Sequence, residues 1–197
     1  MATLPVSKER PVHTYAELWH ASWCVFDKGQ QNKEGSNWQF LSSLLLNAFA
    51  LEAYLNHIGP SHIKDWNKLE RKPVRKKLLR LSEILGVKHG TKDNERPLLT
   101  ITQLFEFRNS LAHGRSTVLT EKIEHEAPDG FKSVHELFNA QPKTDWESLI
   151  QDSTFSELAR TDVEIVIRVL HATRGETSDI LFNSGIGHGS ATLQNVP

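Results

Sequence analysis

The chain reads as an all-α protein: a bundle of four to five main helices with a small irregular or short-strand appendage. Three observations carry this. Apolar residues recur at helical spacing over five separate stretches. Start and stop residues bracket them, with Thr14 and Glu17, Thr144 and Glu147, and Thr161 and Glu164 as capping boxes, Pro73 and Pro97 in first turns, and Gly86 and Gly114 as terminators. The 197 residues, 38% apolar and 24% charged, suit one soluble globular domain with a proper core.

In chain order, residues 1–13 read as a flexible polar arm and not as a signal peptide. The first helix covers about 14–27, with Leu18, Trp19, Trp23, Val25 and Phe26 as its apolar set, and Cys24 among them reads as a core thiol. A polar loop from Gly29 to Gly35 leads to a helix over 37–58. That helix is close to apolar all round, which predicts the central, most buried element. Gly59-Pro60 is expected to end it. Residues 61–70 form a short helix or turn around Trp66, and a helix over 73–86 opens on a basic tract: Arg71, Lys72, Arg75, Lys76 and Lys77. After a loop, Pro97 starts a helix over 97–114. Residues 116–160 are the appendage of the 14–174 domain. In it Val118, Leu119 and Ile123 suggest a short strand returning near Phe131, 134–139 a helical turn and 144–151 a short helix. A last helix covers 161–174, and 175–197, rich in Gly, Ser and Asn, reads as a flexible tail.

The helix over 97–114 organises the rest. At about 100° per residue, Leu98, Ile101, Leu104, Phe105, Leu111 and Ala112 share one face, and Arg108 falls in the middle of it. An unpaired charge there is costly. On the helix over 37–58, Glu52 falls inside the apolar surface between Leu45, Leu41, Phe49 and Ala48. Two misplaced charges of opposite sign on two long helices predict one buried pair, or a pair across a dimer. Asn109 and His113, four residues apart, stack at the border of the apolar arc.

Arg108-Asn109-Ser110-Leu111-Ala112-His113 reads R-N-x-x-x-H at the end of an apolar helix, and Leu44 to Asn56 supplies a long early helix with a single acidic residue. Together they resemble the HEPN superfamily, all-helical domains found in prokaryotic toxin and defence systems and in some eukaryotic RNases. The resemblance covers roughly residues 14–174. It implies a metal-independent endoribonuclease, two chains pairing so that both motifs face one cleft, and, for a toxin, an antitoxin or other neutralising partner.

Residue chemistry points the same way. RNA is cut without a metal when its own 2′-OH attacks the neighbouring phosphate. The reaction needs a proton shuttle near neutral pH, for which His113 is the candidate, and a fixed cation for the pentacoordinate phosphate, for which Arg108 is the candidate. The other reading of His113 is structural, a residue whose protonated form is favoured at a helix C-terminus. Asn109 positions the groups and Glu52 supports them. Arg71, Lys72, Arg75, Lys76, Lys77 and Arg115 are candidate contacts to the RNA backbone. A net charge of −1 means that such contacts come from a local patch. No cofactor is expected. The ten histidines, His57 and His62 among them, show no metal-ligand spacing, and the Gly-rich segment around His188 is no phosphate loop. One cysteine excludes an internal disulfide and fits the cytoplasm, and no apolar run is long enough to span a membrane. The alternative reading is a non-catalytic domain of the same kind that binds a nucleotide, RNA or a protein partner in the same groove.

Overall fold

The computed structural model describes residues 6–9, 12–87, 94–120, 142–175 and 190–193. Two long helices, α1 (Thr14–Gln31) and α2 (Ser36–His62), pack antiparallel, with Tyr15 against Tyr54 at one end and Gly29 against Phe40 at the other. Then come α3 (Trp66–Glu70), α4 (Val74–Ile84), α5 (Leu98–Ala112), α6 (Asp145–Ser148) and α7 (Thr154–Ala172). The central helix is α2, which touches α1, α3, α4, α5 and α7. Its inner face, including Leu44, Leu51, Leu55 and Ile58, is wholly buried. Each such side chain contributes about 1.5–3 kcal/mol of apolar burial.

The all-helical bundle agrees with the apolar periodicity, and the differences lie in what glycines and threonines do. Gly29 belongs to α1, not to a loop: a Cβ there would lie 2.9 Å from Gln39 Cβ and 3.0 Å from the Phe40 ring. The missing side chain lets the two long helices approach, so α1 runs on to Gln31. Gly59 likewise does not end α2, since a Cβ at that position would run into the indole of Trp66. Pro60 falls in the last turn, where its lost N–H forfeits one bond, and Ile63 N–H closes the helix on the Gly59 carbonyl at 2.9 Å.

Of the three capping boxes, only Thr144 forms one. Its hydroxyl accepts from Glu147 N–H at 3.3 Å, and the Glu147 carboxylate accepts from Thr144 N–H at 2.7 Å. Thr14 is already helical, so the cap position passes to His13, which makes no side-chain cap bond. Thr161 lies inside α7, which starts seven residues earlier, and its hydroxyl donates to the Glu157 carbonyl at 2.9 Å.

Cys24 is exposed, not a core thiol: it shares an outward row of α1 with His20 and Lys28, and its Sγ lies 3.6 Å from His20 Nε2. Val118 is 90% exposed and, with Leu119, forms no strand; the rest of the expected hairpin and the turn at 134–139 lie outside the described residues. At the chain ends, β1 (Val6–Glu9) and β2 (Ser190–Leu193) pair antiparallel, Val6 opposite Leu193 and Glu9 opposite Ser190. The sequence reading leaves both ends loose, because neither has an apolar period and each finds its partner only at the other end of the chain.

The helix nearly apolar all round also departs from expectation. At four- and three-residue steps, Trp38, Ser42, Leu45, Phe49, Glu52 and Asn56 form an outer stripe of α2. Trp38 is 65% and Phe49 39% exposed, and the rest are half-buried. So α2 is central without being buried on every side. Among the described residues, no helix is long and apolar enough to cross a membrane.

Candidate active site

The polar end of that stripe meets α5. Leu98, Ile101, Leu104 and Phe107 anchor α5 in the core, Phe105 and Leu111 are half-buried, and Ala112 is exposed. The helix therefore leaves the core at its last turn, and Arg108 sits at the point of exit, 29% exposed. Its Nη2 lies 3.5 Å from Glu52 Oε2, its Nη1 donates to Asn109 Oδ1 at 2.9 Å, and its guanidinium stands 5.6 Å from the Phe49 ring centre. The expected Glu52–Arg108 pair thus exists within one chain.

Glu52 has a second and closer partner. Lys77 Nζ donates to Glu52 Oε1 at 2.7 Å and to Asn56 Oδ1 at 3.2 Å, and its side chain is fully buried. Lys77 is therefore not a backbone contact for RNA, as its place in the basic tract suggested. The signal was present: Val74, Lys77, Leu78 and Leu81 stand at helical core spacing, and all four are buried. The rule that picked out Arg108 and Glu52 picks out Lys77 as well. Burying an ammonium ion costs several kcal/mol unless a close anion answers it. The near oxygen of Glu52 is committed to Lys77, and the other reaches Arg108 at longer range. Arg108 carries five N–H donors, so these contacts fix its position without using up its capacity to bind an anion.

An open groove between the α3–α4 turn and α5 is lined by Arg108 and Asn109 together with Arg71, Lys72 and Arg75, with Glu52, Glu70 and Glu106 also on its walls. Two stretches more than thirty residues apart in sequence thus share one surface. Asn109 steadies Arg108 by accepting from its Nη1. His113 caps α5 through its N–H on the Asn109 carbonyl at 3.0 Å, and is exposed. His113, Lys76 and Arg115 are exposed but do not line the groove. One chain therefore offers a held arginine in a groove of mixed charge, four cations against three carboxylates, with a histidine five residues further along and outside the groove. The groove's arginines and lysine can meet the charge of a phosphodiester backbone, and its three carboxylates oppose it. Among the described residues, no three His, Cys, Asp or Glu side chains gather where they could hold a metal ion.

This defines a helical-bundle protein with an arginine-bearing groove of mixed charge at the exit of its motif helix. The chain matches no protein-family model, no curated protein and no solved structure.

Proposed function

We propose that the chain is a HEPN-like, metal-independent endoribonuclease that cuts single-stranded RNA by 2′-OH attack and leaves a 2′,3′-cyclic phosphate. The observation that carries the reading is Arg108, tethered to Glu52 and Asn109, in a groove it shares with Arg71, Lys72 and Arg75. In this reaction Arg108 steadies the phosphorane, His113 takes the proton from the 2′-OH and returns one to the leaving 5′-oxygen, and Asn109 keeps Arg108 in place. The working form is a homodimer. The outer stripe of α2, with Trp38, Leu45 and Phe49, runs straight into the Glu52–Arg108 end and offers an apolar face for a second copy. Pairing there brings two His113 side chains toward one cleft and doubles a sparse site. The role is that of a cytoplasmic toxin or antiviral effector, held in check by an antitoxin or other neutralising partner.

The test is cleavage of a labelled single-stranded RNA in EDTA, with the ends analysed for cyclic phosphate. Full activity in EDTA and its loss in His113→Ala, about 10²–10⁴-fold, is the expected result. Activity that disappears in EDTA and returns with a divalent ion would overturn the mechanism. Unchanged activity in His113→Ala would favour the non-catalytic binding domain. Sedimentation at micromolar concentration is expected to give a dimer, with Trp38→Glu shifting it to monomer.

A further inference from the structure

A second groove lies on the other side of the α3–α4 turn. Its rim holds Lys64, Lys68, Lys72 and Arg80, and Ile63 and Ile84 lie among its apolar lining. Lys72 lines this groove and the Arg108 groove alike. Lys64 stands before α3, Lys68 within it, Lys72 in the turn after it, and Lys76 and Arg80 within α4, and all five are exposed. Only Lys76 and Arg80 share a helix, so it is the α3–α4 turn, and not a helical repeat, that brings Lys64, Lys68, Lys72 and Arg80 to one groove. Two carboxylates answer these cations, Asp65 on Lys68 at 3.5 Å and Glu83 on Arg80 at 2.6 Å. Both pairs are largely exposed and hold little energy in water, so the cluster keeps a net positive charge on a chain whose total is −1.

We infer that this groove is a second RNA-backbone site, which holds the strand upstream or downstream of the phosphate at Arg108, with Lys72 as the crossing point. Four cations along a groove match the phosphate backbone of a single strand. What favours RNA over an acidic peptide is that this groove shares Lys72 with the Arg108 groove. The inference deepens the ribonuclease reading and rests on it for the choice of RNA. It extends the bound length of the substrate without adding a group to the chemistry.

The test uses the full chain carrying His113→Ala, so that binding is read without cleavage. Fluorescence anisotropy compares RNAs of about 16 and about 4 nucleotides across a salt series, with and without the triple change Lys64→Gln, Lys68→Gln and Arg80→Gln. The expected result is that the long RNA binds about tenfold more weakly to the triple variant, its log–log salt slope shrinking by about 2, or about 0.7 per lost charge. The short RNA, held at Arg108, is expected to bind as before. Each single change should lower the slope by about 0.7, which keeps the test open if the triple variant misfolds. A salt slope that does not change in any variant overturns the inference. So does a polyglutamate peptide that binds the groove as tightly as RNA and loses affinity with the same three changes, which assigns the groove to an acidic protein segment. If the His113→Ala chain binds long RNA through the groove while the native chain cuts none, the groove stands and the nuclease reading falls.

Discussion

Two regions of this bundle each set an arginine against aromatic rings at a helix interface. On α7, Arg160 lies 3.8 Å from the Trp19 ring centre and 5.0 Å from that of Trp23, and donates to Ser22 Oγ at 2.7 Å and to the Trp19 carbonyl at 3.3 Å. Burial pulls its pKa down to about 10, against the opposing pull of Glu164. Arg108 stands farther from its ring, 5.6 Å from Phe49, and leans on a carboxylate already engaged by Lys77. Arg160 is packed and closes the seam between α1 and α7. Arg108 is tethered and lines an open groove. A charge on an apolar helix face thus marks either a seam or a site, and what separates the two is whether the guanidinium meets protein or open space.

Four measurements break or sharpen this contrast. The largest effect is expected at Arg108. Arg108→Ala should lower RNA cleavage by about 10²–10³-fold, the loss seen when a charge-stabilising donor is removed, while Arg160→Met leaves cleavage unchanged. Equal loss in both variants would erase the distinction. Next comes Lys77. Lys77→Met should cost about 2–3 kcal/mol in chemical denaturation, below the ~3–5 of a wholly buried pair because Glu52 is 26% exposed. Adding Glu52→Gln should return part of that loss, since the stranded carboxylate is then neutral. Arg160→Met should cost about 1 kcal/mol from lost cation–π and hydrogen-bond contacts, partly offset by relief of a desolvated charge. The smallest effect belongs to Thr144→Ala, about 0.5–1 kcal/mol. The Thr144 N–H and then its hydroxyl hold the Glu147 carboxyl below the usual range. That contribution is complete above the unfolded pKa of Glu147 and is lost as pH falls through its lower folded value. The variant should therefore lose stability less steeply than the native chain as the medium is acidified.

The helix positions were legible in the sequence, because a helix writes its buried face into the chain every three to four residues. So was the Glu52–Arg108 pair, since each charge stood in an apolar arc where it needed an opposite partner. Lys77 was equally visible at core spacing in α4, but it stands in a run of basic residues, and composition masked its place on the wheel. The extent of the helices was less legible. Gly29 and Gly59 look like stops and act as contact points, and Thr161 looks like a cap and lies seven residues inside α7.

By itself, then, the sequence determined an all-α chain, the order of its long helices, and the pairing of one glutamate with one arginine, because these follow from local periodicity and from the cost of an unanswered charge. Only the tertiary structure decided which neighbour covers which face: that Trp38 and Phe49 stay outside, that Lys77 takes the nearer oxygen of Glu52, that Arg71, Lys72 and Arg75 share a groove with Arg108 and Asn109, and that β1 meets β2 across the length of the chain. A helical repeat specifies that a face is apolar or charged. It does not specify the helix on the other side, which is set by packing between residues far apart in the chain.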